Sequence, residues 1–287
     1  MSFAETIGLG ALAGFTIFLG LPLGRLQLLG TRSRVGLAMF SVGVLAFIFV
    51  DVLSNGIGIV HTALRHVQNH TGSVAYLILL VVLLAGGFLV GSSGLASLER
   101  RLRRLEPRNP PIAGGAGAAA VAEPDAQKLA DELAQARRRA LLTGLTIAGA
   151  IGVHNFAEGL AIGVSARAGA ISLATVLIIG FALHNATEGF GIVGPLGGVK
   201  PSWGWLALAG LIGGGPTFVG TLVGYSVTSH PLELVFYAAA GGAIIYVIGE
   251  IWNAMRRYGH RELGLLMLSA GFLIGVITDL VVTWGGG

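Results

Sequence analysis

Hydrophobic residues fall in long, uninterrupted runs separated by short polar connections. The runs cover about 5–24, 35–60, 73–98, 139–165, 171–194, 203–228, 232–254 and 262–284. About 20 apolar residues suffice to cross a bilayer as a helix. The pattern therefore predicts an all-α integral membrane protein with eight transmembrane helices. A membrane β-barrel would alternate apolar and polar positions, and these runs do not alternate. The first five residues, Met1-Ser2-Phe3-Ala4-Glu5, are acidic where a secretory leader would be basic, so the first run is expected to stay as a span.

The pattern breaks over 99–138. This stretch holds Arg100-Arg101-Leu102-Arg103-Arg104, a proline- and glycine/alanine-rich middle between Pro107 and Pro124, and a charged end running into Arg137-Arg138-Arg139. It divides the chain into 1–98 with spans one to three, 99–138 as a low-complexity basic loop, and 139–287 with spans four to eight. The charged end is expected to extend the fourth helix beyond the membrane. If the first connection faces the cytoplasm, so do sixteen of the 18 Lys and Arg residues, leaving only Arg65 and Arg167 outside. Such asymmetry is what the positive-inside rule demands. Both termini then face outward.

Composition agrees with the pattern. Hydrophobic residues make up 54% and charged residues 11% of the 287, against about 25% charged in soluble domains. That excludes a water-soluble enzyme or nucleic-acid-binding domain. The formal charge of +4 is a topology signal and implies no nucleic-acid partner; the partner is the lipid bilayer. There is no cysteine, so disulfides, thiolate metal sites and cysteine nucleophiles are excluded.

The chemistry is concentrated in a duplicated hexapeptide. Span four carries His154-Asn155-Phe156-Ala157-Glu158-Gly159 and span five His184-Asn185-Ala186-Thr187-Glu188-Gly189. Both copies lie near the middle of their runs, and a short connection makes the two helices antiparallel neighbours. Residues three and four apart share a helix face, so each helix offers an imidazole, an amide oxygen and a carboxylate together. A carboxylate at mid-membrane costs about 2.5–3.5 kcal/mol. Asp51, Glu158, Glu188 and Glu250 all lie within apolar runs that contain no Lys or Arg away from their ends. Either protons or a bound dication must offset the charge. Polar packing between helices is the bland alternative, but two full copies at matching depth favour a metal site. Imidazole with carboxylate suits zinc, iron(II), manganese or cobalt. Gly159 and Gly189 are read as close-packing positions. Asp279 is expected at an interface. His61, His66 and His70 are read as a solvated outer cluster more than a metal collector. The spacings Gly87/Gly91, Gly220/Gly224 and Gly271/Gly275 permit close helix approach, within the bundle or at a dimer seam on spans three and eight.

Two consecutive spans bearing His-Asn-x-x-Glu-Gly resemble the ZIP (Zrt/Irt-like protein) family of divalent metal transporters. Eight spans, outward termini and the long cytoplasmic loop fit the same family. The resemblance implies a metal site built from His154, Asn155, Glu158, His184, Asn185 and Glu188. It suggests Asp51 and Glu250 as further pathway residues. It also implies a three-two-three arrangement with inverted end repeats, a homodimer, and elevator-like movement of spans one, four, five and six. Three departures stand out. The usual proline before each motif glutamate is replaced by Ala157 and Thr187, so straighter helices are expected. Gly213-Gly214-Gly215-Pro216 stands where the family often has Glu-Pro, so a second metal position is expected to be weak. The cytoplasmic loop has no histidine.

The function expected from the sequence is movement of a divalent metal ion toward the cytoplasm across the cell membrane. Zinc leads as substrate, with iron, manganese, cobalt or cadmium as alternatives, and no bond is broken. The rivals are a metal-dependent intramembrane hydrolase, which lacks a His-Glu-x-x-His motif here, and a proton- or sodium-coupled carrier using the buried carboxylates.

Overall fold

The computed structural model describes residues 2–26, 30–105, 123–167, 185–226 and 229–284. Those residues form helices: α1 Phe3–Phe15, α2 Ile17–Gly20, α3 Leu23–Leu26, α4 Thr31–Gln68, α5 Val74–Leu89, a π-helical turn Val90–Gly94, α6 Leu95–Leu105 and α7 Glu123–Arg167. They continue with α8 over 185–193, a 3-10 turn Gly194–Leu196, α9 Trp203–Ser226, α10 His230–Arg256 and α11 Arg261–Trp284. Seven stretches among the described residues are long and apolar enough to cross a membrane, the first being α1 to α3 taken together. They coincide with all the expected spans except the fifth, most of which, including His184, lies outside the described residues.

The stretch 99–138 is helical at both ends. Its Arg, Leu, Glu and Ala residues are good helix formers, so α6 carries the third span on to Leu105 and α7 begins at Glu123. α7 is 45 residues long, about 68 Å at 1.5 Å per residue, and so projects well beyond any bilayer. Glu99, expected in the loop, is instead buried and accepts a hydrogen bond from the Tyr246 hydroxyl of α10.

Small residues set the packing, as they must where lipid is as apolar as the side chains. A Cβ at Gly220 would overlap the Phe156 carbonyl, one at Gly224 the Leu160 carbonyl, one at Gly91 the Ala239 carbonyl, and one at Gly271 the Phe40 carbonyl. Gly87 and Gly275 face the Ala238 Cβ and the Phe47 ring. All three GxxxG pairs are thus used within the chain, on α9 against α7, α5 against α10 and α11 against α4. The glycine faces of spans three and eight are not left open for a dimer seam. The most extensive helix pairing is α7 with α9, and this pairing positions the first motif.

Candidate metal centre

Span one is broken at Thr16, between α1 and α2. The break exposes backbone groups, which in a membrane must find other partners. The Ala13 carbonyl accepts the Thr16 hydroxyl at 2.6 Å and the Asn185 side-chain amide at 3.0 Å. α9 runs on through an internal proline, Pro216, whose missing N–H leaves the Ile212 carbonyl without its helical donor. There the Gly213 carbonyl accepts the Asn155 side-chain amide at 2.9 Å. One turn further along each pair, a Cβ at Gly159 would overlap the Thr217 carbonyl, and one at Gly189 the Ile17 carbonyl. The two contacts share one register: Asn155 and Gly159 sit on Gly213 and Thr217, while Asn185 and Gly189 sit on Ala13 and Ile17. The duplicated motif is therefore met by a duplicated seat.

That seat fixes both amides. Each Asn spends its NH2 on a backbone carbonyl, which turns Oδ1 the other way. The Oδ1 atoms of Asn155 and Asn185 are buried with no hydrogen-bond partner among the described residues. Beside them, His154 Nε2 lies 2.8 Å from Glu188 Oε1 and 3.8 Å from Glu158 Oε1. His154 and Glu188 are fully buried and Glu158 nearly so. The close His154–Glu188 approach lacks hydrogen-bond geometry, and neither oxygen of Glu188 has a hydrogen-bond donor among the described residues. α8 is tied to α4 through the Ser41 hydroxyl, which donates to the Thr187 carbonyl at 2.8 Å. His154, Glu158 and Glu188 do not alone close into a metal-holding group, and no such group of three occurs among the described residues. His184, the remaining imidazole of the motif pair, lies outside them.

The other expected residues stand apart. Asp51 is exposed on α4, where its carboxylate accepts from Asn55 at 3.4 Å. Glu250 is half-buried and lines a cavity of about 650 Å³ with Arg137, Arg139 and Arg257. Asp279 is exposed near the end of α11. His61, His66 and His70 are exposed, and His66 Nδ1 pairs with the Thr71 hydroxyl. Gly215 points away from the motifs: a Cβ there would meet nothing within 4 Å, and its helical neighbours Leu211 and Val219 are exposed. The site-side positions of α9 are Gly213 and Thr217. The Thr217 hydroxyl is buried and has no hydrogen-bond partner among the described residues. Sequence reasoning missed Thr217, whose only signal was a polar residue in a glycine-rich span one turn after Gly213.

An all-α, multi-pass membrane protein with imidazole, amide and carboxylate groups buried together at mid-span is the class defined here. Residues 117–249, which contain both motif copies, match the family described as ZIP Zinc transporter. The chain is also 31% identical over 148 residues to the Zinc transporter ZupT of Clostridium perfringens (strain 13 / Type A), a match covering 48% of this chain and 50% of that one. Over that stretch the chain is similar to the ZIP family, and it spans about half the length of the relative it matches.

Proposed function

We propose that this protein carries divalent transition-metal ions across the cell membrane toward the cytoplasm, with zinc as the leading substrate and iron, manganese, cobalt or cadmium as alternatives. The ligands are His154, Glu158, His184 and Glu188, with Asn155 and Asn185 as neutral oxygen donors. The orientation of the two amides carries this reading. Asn serving only as glue between helices would pair its oxygen as well as its NH2, since an unpaired buried acceptor costs about 1–3 kcal/mol. Both Oδ1 atoms lack such a partner among the described residues, and a cation is the partner they suit. The protein is not an enzyme, in keeping with a family of transporters.

Cavities at opposite ends of α7 support alternating access. One, of about 650 Å³, reaches Thr143 from the arginine-rich end; the other, of about 220 Å³, reaches Leu160 from the far end. His154 and Glu158 lie between them along the helix. The spans that share the Asn and Gly contacts are one, four, five and six, and they are proposed to move as one body. Asp51 and Glu250 are proposed as pathway residues away from the central site. Three arginines around Glu250 make its cavity unfavourable for a resident dication, so Glu250 would act in passing the ion on. Any homodimer would use faces other than the glycine pairs.

The test is uptake of radioactive zinc into proteoliposomes, competed by iron, manganese, cobalt and cadmium. Saturable zinc uptake is expected, and its absence from well-folded protein would sink the reading. Sidedness has its own check. With no native cysteine, a Gly115→Cys variant should label only with reagent delivered to the cytoplasmic side; labelling from outside intact cells would overturn the eight-span topology.

A further inference from the structure

The cavity at the far end of α7 has one polar wall. It is formed by the start of α10, where Ser229, His230 and Glu233 line a space of about 220 Å³ whose apolar side includes Leu160, Val164 and Phe236. His230 Nδ1 lies 3.6 Å from Glu233 Oε2. The Tyr237 side chain stands beside Glu233 on the next turn of α10. Ser229, at the N-cap, makes no side-chain capping bond, so its hydroxyl also remains available to the cavity.

Glu233 in the first turn has an ordinary role, offsetting the helix dipole. That role does not need an imidazole facing the carboxylate. At 3.6 Å the pair is too far apart for a hydrogen bond. It is close to the separation of about 3.3 Å between two donors that share a tetrahedral zinc at bond lengths of about 2.0–2.1 Å. His230 is 76% exposed and Glu233 32% exposed at the side chain, so water can complete the coordination and the ion can leave. Arg167 ends α7 nearby, but its guanidinium is directed to the Tyr225 carbonyl at 3.0 Å and does not line the cavity.

The cavity reaches nearly the depth of the central site along α7, on the helix face of Leu160 and not that of Glu158. Leu160 is two residues beyond Glu158 on α7, about 3 Å along the helix axis. Phe236 packs on Phe156, two residues beyond His154, with ring centroids 4.7 Å apart. We propose that His230 and Glu233 form an outer capture site for a divalent transition-metal ion, which gathers the ion at the mouth of this cavity before it reaches His154, Glu158 and Glu188. The loading role rests on the transport reading; binding by the pair does not.

The test uses the full-length protein in nanodiscs. Carbethoxylation of His230 by diethyl pyrocarbonate is followed by mass spectrometry with and without zinc. Zinc should slow modification of His230 in the wild type, and Glu233→Gln should remove that protection. Equal rates with and without zinc, or full protection surviving in Glu233→Gln, would overturn the site. Because the central ligands are untouched, this readout stands whether or not the protein transports. In proteoliposomes, His230→Ala and Glu233→Gln should raise KM for zinc about three- to tenfold and leave kcat unchanged, the signature of lost ground-state capture. An unchanged KM would overturn the loading role. Protection at His230 with no uptake by the wild type would instead refute the transport reading and leave the binding site standing.

Discussion

Glu188→Ala should reduce zinc uptake per folded molecule by about a hundredfold or more, since even outer-shell partners of metal ligands are worth about 10–100-fold. Glu188 is fully buried, lies 2.8 Å from His154 Nε2, and has no hydrogen-bond donor on either oxygen among the described residues. Removing it deletes the negative charge that a dication would meet. The loss should be specific to transport, because taking an unsatisfied carboxylate out of a membrane interior relieves a desolvation penalty. Folded yield should therefore hold or rise while uptake collapses. Glu158→Ala should behave similarly. The His154→Ala, Glu188→Ala double variant should lose far less than the sum of its singles, because contacting residues of one site are coupled. The same non-additivity is expected of His154→Ala with His184→Ala. Uptake normalised to folded protein is the measurement. Normal values in Glu158→Ala and Glu188→Ala would return the motifs to a packing role.

The parts of this molecule that were legible in the sequence are those written in side chains with a strong local signature. Long apolar runs need no tertiary information to be read as spans, and seven of the eight reappear among the described residues. The motif pair was legible because polar residues at mid-span are expensive and therefore few. What could not be read were the partners made of backbone. Nothing in Ala13 or Gly213 announces that its carbonyl will take an asparagine amide. At Ala13 the Thr16 break lies one turn away, while at Gly213 the amide is accepted by a carbonyl inside a continuous helix, beside the Ile212 carbonyl that Pro216 leaves without a donor. Ala157 and Thr187 stand where the ZIP family usually has proline beside each motif glutamate. Pro216 stands instead on the facing helix, in the turn that meets Asn155. Gly215, the residue before Pro216, is turned outward by helical rotation, which a sequence offset alone does not show. His230 and Glu233 escaped notice because an acidic residue in a first turn already has a sufficient local explanation.

The glycines that close each motif should be as intolerant of change as its proposed ligands, for a different reason. A Cβ at Gly159 would overlap the Thr217 carbonyl, and one at Gly189 the Ile17 carbonyl. Both obstacles are backbone in packed helices, so no rotamer change can relieve them. Gly159→Ala and Gly189→Ala should each destabilise the protein by about 1–3 kcal/mol, the usual range for overpacking, and the corresponding valines by more. Asn155 and Asn185 sit one turn away on the same contacts, so forcing the helices apart also stretches their bonds to Gly213 and Ala13 and releases the amides. Zinc affinity should then fall together with stability. Gly86→Ala is the control: a Cβ there meets nothing within 4 Å, and alanine in a helix should gain about 0.5–1 kcal/mol over glycine. Thermal unfolding in nanodiscs, with and without zinc, separates the cases. If Gly159→Ala melts with Gly86→Ala and keeps its zinc-induced shift, the close seat is not what aims the asparagine oxygens, and the amide argument for the site loses its footing.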